Sequence, residues 1–330
     1  MNSNTMKTNI SGAIRKTLKE EMERDPSIFL FGEDIADPYG GIHKATKGLT
    51  DHFGPERVIN SPLSEIAIAG VGVGAAINGM RPVVEIMYAD FLPIAMDQIV
   101  NCGAKMHFLS GGSICVPVVI RANYGSGKGE GAQHSQDPLA WFMNYPGVKI
   151  VAPSTPRDTQ GLLLSAIRDN NPVLFFEHKM LYHFSGEILQ HNEPIPLGVM
   201  DIKRSGRDLT IISCGLMVHR ALAAAEKLSE MGVDAEVIDL RSLKPFDEEG
   251  ILESVRRTGR LMVVEESCRT GGWGAQIVDT VVENAFDALE TAPVRLAALD
   301  APLAARMDFE ALQVPSAQAI IDAALSLVKR

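Results

Sequence analysis

The stretch Ser61-Pro62-Leu63-Ser64-Glu65-Ile66-Ala67-Ile68-Ala69-Gly70-Val71-Gly72-Val73-Gly74-Ala75-Ala76-Ile77-Asn78-Gly79-Met80 carries a single charged residue, Glu65. Ser61 supplies an N-cap oxygen, Pro62 suits the first helical position, and Glu65 falls in the first turn, where the helix dipole favours negative charge. The stretch therefore reads as a buried helix with a carboxylate at its head. Burial makes that carboxylate costly to keep ionised, which sets a catalytic role against the plainer one of an acid tuned to the dipole; the apolar surroundings favour the first. The run Gly70-Val71-Gly72-Val73-Gly74 has the composition of a dinucleotide-binding loop. That loop, however, follows a strand and opens a helix, with an acid about 20 residues further on. Here the glycines lie inside the helix, as small residues that let it pack closely on its neighbours.

Working outward, Ile10, Ile14, Leu18 and Met22 mark an amphipathic first helix, and Ile28-Phe29-Leu30-Phe31 reads as a buried strand ending at Gly32. Short apolar runs at Val83 to Ile86, Val116 to Ile120, Val148 to Val151 and Val173 to Phe176 alternate with helical segments at Pro93 to Phe108 and Arg157 to Arg168. Such alternation predicts a parallel sheet with helices on both faces. From Ser185 to Arg207 the pattern gives way to polar residues with Pro194, Pro196 and Gly198. A second alternation follows, with strands at Leu209 to Ser213, Ala235 to Leu240, Leu261 to Glu265 and Val294 to Leu299. Its helices fall at Val218 to Met231, Glu248 to Arg257, Ala275 to Leu289 and Ser316 to Val328. The expectation is an α/β protein of two doubly wound domains, 1–190 and 208–330, joined by a linker at 191–207.

A chain of 330 residues, 46% apolar, is long enough for two cores. Its formal charge of −10 and lack of a basic stripe oppose nucleic-acid or anionic-membrane binding. The longest apolar stretch is interrupted by glycines and falls short of a bilayer span, and the first residues lack a signal-peptide pattern. Cys102, Cys115, Cys214 and Cys268 lie far apart, without metal-ligand or disulfide-framework spacing, as befits a reducing cytoplasm.

Three other segments carry chemistry. Asn123 to Gln136 follows a strand, is rich in glycine and contains His134, whose side chain suits proton transfer or anion binding; as a loop histidine it has a plainer reading too. It is not a Walker loop, since Gly129 follows Gly-Lys. Glu85 to Phe91 leaves a strand at the carboxyl edge of the sheet, where α/β proteins bind ligands. There Tyr88 and Phe91 are either core or a stacking surface for a heteroaromatic ring. Ala166 to Pro172 is a helix end whose carbonyls and Asp169 are suited to a hard cation or simply to a turn.

In order and spacing, Gly32-Glu33-Asp34, Ser61 to Glu65, Asp97 to Asn101, Gln133 to Gln136, Ile167 to Pro172 and Glu265-Glu266-Ser267 resemble one family over nearly the whole chain. It is the beta subunit of the thiamin-diphosphate-dependent first component of the 2-oxo acid dehydrogenase complexes, acetoin dehydrogenase included. The resemblance implies a transketolase-like fold, with a pyrimidine-binding domain followed by a C-terminal domain used in assembly and in docking a dihydrolipoyl acyltransferase core. It also implies that Glu65 meets the aminopyrimidine ring nitrogen, that Met87, Phe91 and Leu63 lie against that ring, and that His134 lies near substrate and lipoyl group. Val118, Ala166, Asp169 and Asn171 correspond to positions that bind potassium in some relatives.

No Gly-Asp-Gly stretch of the kind that holds magnesium and diphosphate occurs in the chain. The resemblance therefore implies an alpha subunit that brings the magnesium and diphosphate contacts, in a heterotetramer of two alpha and two beta chains. Tyr88 to Leu92, with Glu177 to Lys179 and Leu181-Tyr182, look nearer to acetoin than to pyruvate dehydrogenase beta chains. Pyruvate, branched-chain 2-oxo acids and a ketose remain open as substrates, and a non-catalytic assembly subunit is the rival role. A nicotinamide dehydrogenase would need the glycine run to be a phosphate loop.

Overall fold

The computed structural model describes residues 4–329, which divide into two compact units, one of residues 4–124 and 142–197 and one of residues 125–141 and 198–329.

The first unit opens with β1 (Thr5–Asn9) and α1 (Ile10–Arg24), whose apolar positions Ile10, Ile14, Leu18 and Met22 are buried as their spacing predicts. Asn9 caps α1 by accepting a hydrogen bond from Gly12 N at 2.8 Å. Then come β2 (Ile28–Gly32), α2 (Leu49–Phe53), β3 (Val58–Asn60), α3 (Glu65–Ile77) and β4 (Arg81–Ile86). A continuous helical stretch follows, as α4 (Leu92–Asp97), a π-helical turn (Gln98–Gly103) and α5 (Ala104–Leu109). β5 (Val119–Tyr124), β6 (Lys149–Val151), α6 (Pro156–Arg168), β7 (Val173–His178) and β8 (Ser185–Leu189) complete the unit. Its sheet runs β3-β2-β4-β5-β7-β6, every pairing parallel. β5 and β7 are buried along their whole length, as strands covered on both faces must be. From β2 the chain steps outward to β3 and then back across to β4, so the carboxyl ends of β2 and β4 flank a topological switch point, where open α/β sheets bind ligands.

The second unit contains β9 (Asp201–Arg204), β10 (Leu209–Ser213), α7 (Leu216–Glu230), β11 (Ala235–Asp239), β12 (Ser242–Lys244) and α8 (Glu248–Thr258). After these come β13 (Leu261–Cys268), α9 (Gly274–Ala285), β14 (Val294–Ala298), α10 (Met307–Gln313) and α11 (Ala317–Val328). Its five-stranded sheet runs β14-β13-β10-β11-β9, parallel except for the antiparallel edge strand β9. Among the described residues, Met307–Val328 is long and apolar enough to cross a membrane. It is divided into α10 and α11 at Pro315, and Ile320, Ile321, Ala324 and Leu327 lie in the core of this unit.

Four details differ from the sequence reading. β1 and β8 form an antiparallel pair outside the main sheet, and β8 lies in the polar break expected after Ser185. β9 occupies Asp201–Arg204 within the expected linker, recruited by main-chain pairing to β11 despite its polar side chains. The helix expected over Pro93 to Phe108 carries the π-helical turn in its middle. Finally, α3 begins at Glu65 after an N-cap at Ser64, not after Ser61. Ser61 N donates to Gly32 O at 2.8 Å, prolonging the β2–β3 ladder, and Ser61 Oγ donates to Pro62 O at 2.7 Å. A residue preceding proline is biased to extended backbone, so the ladder keeps Ser61 and the helix starts later.

Candidate active site

Glu65 is the first residue of α3, in the segment leaving β3. Its side chain is 7% exposed and makes no hydrogen bond or ion pair among the described residues. At this end of the helix the first N–H groups have no intrahelical acceptors and favour negative charge. Glu33, which follows β2, feels the charge of Glu65 directly: burial first, then the charges of Asp34 and Glu65, push its carboxyl above the usual carboxylate range. The switch point thus gathers Glu33, Asp34 and Glu65.

The glycines of α3 have unequal tasks. A Cβ on Gly72 would come 2.8 Å from Val84 Cγ1 and 3.3 Å from Val118 Cγ2, whereas one on Gly74 would meet nothing within 4 Å. Gly72 therefore lets α3 approach β4 and the residue that precedes β5. None of the run stands at a strand-to-helix turn, so it is not a phosphate loop.

β4 ends at Ile86, and Met87, Tyr88 and a single 3₁₀ turn, Ala89–Phe91, lead into α4. Met87 and Phe91 are half-buried, while Leu63 is 70% exposed. Behind this segment runs a buried ionic chain that sequence reasoning missed. Arg121 on β5 donates through Nη1 to Glu85 Oε2 at 2.6 Å, and through Nε and Nη2 to Glu177 Oε1 and Oε2 at 2.6 and 2.7 Å. The Tyr182 hydroxyl donates to Glu177 Oε2, and its ring stacks on His43 with centroids 3.9 Å apart. The Lys179 ammonium stands 5.0 Å from the Tyr88 ring centroid. Charged residues at Glu85, Arg121 and Glu177, each following a run of apolar residues in its strand, are the signal that could have revealed this chain.

At the end of α6, Asp169 N donates to Ala166 O at 3.3 Å. The Asp169 carboxylate accepts from Lys149 through one oxygen and, at 2.8 and 2.9 Å, from Asn171 N and Nδ2 through the other. Burial opposes its ionisation, but the hydrogen bonds from Lys149 and Asn171 outweigh this and hold the carboxyl below its usual range. Val118 O accepts from Val173 N at 2.9 Å, and Arg81 donates to Ile167 O and Asp169 O. The Asp169 carboxylate is thus committed to protein donors, and among the described residues no cluster of three acidic, histidine or cysteine groups could hold a metal ion.

His134 belongs to the second unit and Glu65 to the first. The loop carrying His134 is tied down within its own unit: Ser126 N donates to Glu266 Oε1 at 2.5 Å and Gly129 N to Glu310 Oε2 at 2.9 Å. His134 N donates to Gly131 O at 3.3 Å. Asp137, in the same loop, has its carboxyl pushed well above the usual range by burial and then by the charge of Glu266. A cavity of about 580 Å³ lies beside it, lined by Gln136, Asp137, Trp141, Glu266, Thr270 and Leu299 among others.

Residues 6–185 match the family of the transketolase pyrimidine-binding domain, and residues 198–320 that of the transketolase C-terminal domain. A split-gene transketolase solved as an inactive β4 tetramer shares the fold, with a TM-score of 0.80 at 24% identity over 97% of this chain and 98% of that one. Fold and matches together define a protein of the transketolase type, its pyrimidine-binding half carrying the buried acid at the switch point. The chain is 44% identical to the pyruvate dehydrogenase E1 component subunit beta of Rickettsia conorii, over 96% of this chain and 97% of the relative. It is also 44% identical to the acetoin:2,6-dichlorophenolindophenol oxidoreductase subunit beta of Cupriavidus necator, over 98% of both. With the 2-oxoisovalerate dehydrogenase subunit beta of Bacillus subtilis it shares 46% identity over 88% and 89%. The chain belongs to the family of beta subunits of the thiamin-diphosphate-dependent 2-oxo acid and acetoin dehydrogenases.

Proposed function

We propose that this chain supplies the pyrimidine-binding half of a thiamin-diphosphate site, with Glu65 as its activating acid, and that it works with an alpha subunit. The observation that carries this reading is the Glu65 carboxyl, 7% exposed and without a hydrogen-bond or ion-pair partner among the described residues, at the switch point of a transketolase-type sheet. A carboxyl at this position with no protein donor on it is free to meet a heteroaromatic ring nitrogen. Glu65 would face that nitrogen, and Met87, Phe91 and Leu63 would flank the ring. When bound, the cofactor would supply the nucleophilic carbon and the electron sink that cleavage of a C–C bond beside a carbonyl requires. His134, on the tethered loop of the second unit, serves the substrate and the lipoyl acceptor. Magnesium and the diphosphate contacts come from the alpha chain, since this chain has no Gly-Asp-Gly stretch. Two alpha and two beta chains make the enzyme, which docks on a dihydrolipoyl acyltransferase core. A potassium ion near Val118, Ala166, Asp169 and Asn171 would depend on main-chain oxygens, because the Asp169 carboxylate is already committed.

The relatives bear pyruvate, acetoin and 2-oxoisovalerate names at similar identity. We favour acetoin, on the segments Tyr88 to Leu92 and Glu177 to Lys179. The test pairs this chain with its alpha subunit and assays cofactor-dependent cleavage of acetoin, pyruvate and branched-chain 2-oxo acids. Glu65→Gln should leave the assembled complex intact by size-exclusion chromatography and lower turnover by roughly 10²–10⁴-fold, the range of a proton-transfer group. Unchanged turnover in an intact complex would sink the reading and favour an assembly role.

A further inference from the structure

We infer that Arg121 is a positioning residue for the Met87–Phe91 segment, acting through the two carboxylates that it bridges; this rests on the proposed role of that segment beside the cofactor ring. Arg121 is 1% exposed and takes no part in the surface that a ligand would touch. Glu85 lies two residues before Met87 on the strand that leads into the segment, and Arg121 Nη1 holds it at 2.6 Å. The other two donors of the same guanidinium clamp both oxygens of Glu177. Glu177 in turn lies two residues before Lys179, whose ammonium faces the Tyr88 ring. One planar fork therefore fixes the exit of β4 against the exit of β7, and the path from Glu177 returns to the same segment through Lys179. Tyr182 adds a third donor to the Glu177 carboxylate.

Stability alone gives little reason for this arrangement. Desolvating three charges costs about as much as their attraction returns, and apolar side chains of similar volume often replace buried ion networks without loss. What such side chains cannot reproduce is the fixed angle and spacing of a bidentate guanidinium–carboxylate pair. The chain thus sets geometry at the point where the sheet hands over to the segment beside the proposed cofactor ring.

The experiment uses the assembled alpha–beta complex and titrates thiamin diphosphate, with magnesium, by calorimetry. The triple variant Glu85→Met, Arg121→Met, Glu177→Leu should melt within about 5 °C of the parent, as expected for apolar replacement of a buried network. Its cofactor Kd should rise about tenfold or more, because small displacements of a positioned surface are costly. A Kd within about twofold of the parent, less than 0.5 kcal/mol, would overturn the inference. Arg121→Lys keeps the charge but loses the fork and decides the matter should the triple variant not assemble: a raised Kd supports positioning and an unchanged one overturns it. If the parent complex itself fails to bind the cofactor, the proposed function falls before the variants are considered.

Discussion

Glu65 and Gly72 lie about two turns apart on α3, the acid at the head of the helix and the glycine on the face that packs against the sheet. Gly72 faces Val84 of β4 and Val118 just before β5, and Gly74 faces open space, although the two look alike in sequence. Gly72→Ala should therefore destabilise the chain by about 1–3 kcal/mol, the range for overpacking a core. Gly74→Ala should stabilise it by about 0.5–1 kcal/mol, the gain of replacing a helical glycine. Urea unfolding of the two variants checks both signs, and equal effects would contradict the assigned packing. The acid at the head of α3 was legible in sequence because it interrupts an apolar stretch. Its precise position was not: Ser61 was the better N-cap by local rules, but pairing with Gly32 held it in the ladder.

At the scale of elements, the loop 125–141 shows how a flexible composition becomes a fixed structure. Its glycine-rich sequence gives the backbone wide freedom, while the carboxylates that anchor it, Glu266 and Glu310, lie far along the chain. Burial first, and then the charge of Glu266, hold the Asp137 carboxyl in this loop well above its usual range. An acid whose pKa is raised on folding binds protons more tightly in the native state, so its contribution to stability is fully present below the unfolded value of about 3.9 and declines as the pH rises towards the folded value. Asp137→Asn should abolish that decline. Thermal melts from pH 4 to pH 8 should show the variant gaining on the parent as the pH rises, and a constant difference would contradict the expectation. The linker region makes a related point: β9 is polar in sequence and becomes a strand only because the edge of β11 offers main-chain partners.

At the scale of the whole molecule, the acids and histidine singled out in sequence are divided between the two units: Glu65 in the first, His134 in the second. Neither unit contains a Gly-Asp-Gly stretch. Isolated beta chain supplied with thiamin diphosphate, magnesium and acetoin should therefore show no turnover, and adding the alpha chain should restore it; turnover by the beta chain alone would refute the shared site. The sequence by itself determined the alternation of strands and helices, the two-fold division and the family, because periodicity, turn residues and short motifs are local properties. The tertiary structure decided which glycine packs, where α3 starts, which polar segment becomes an edge strand, and that Glu85, Arg121 and Glu177 form one ionic chain. Those outcomes depend on neighbours distant in sequence, whose hydrogen bonds, charges and excluded volume act only once the chain has folded.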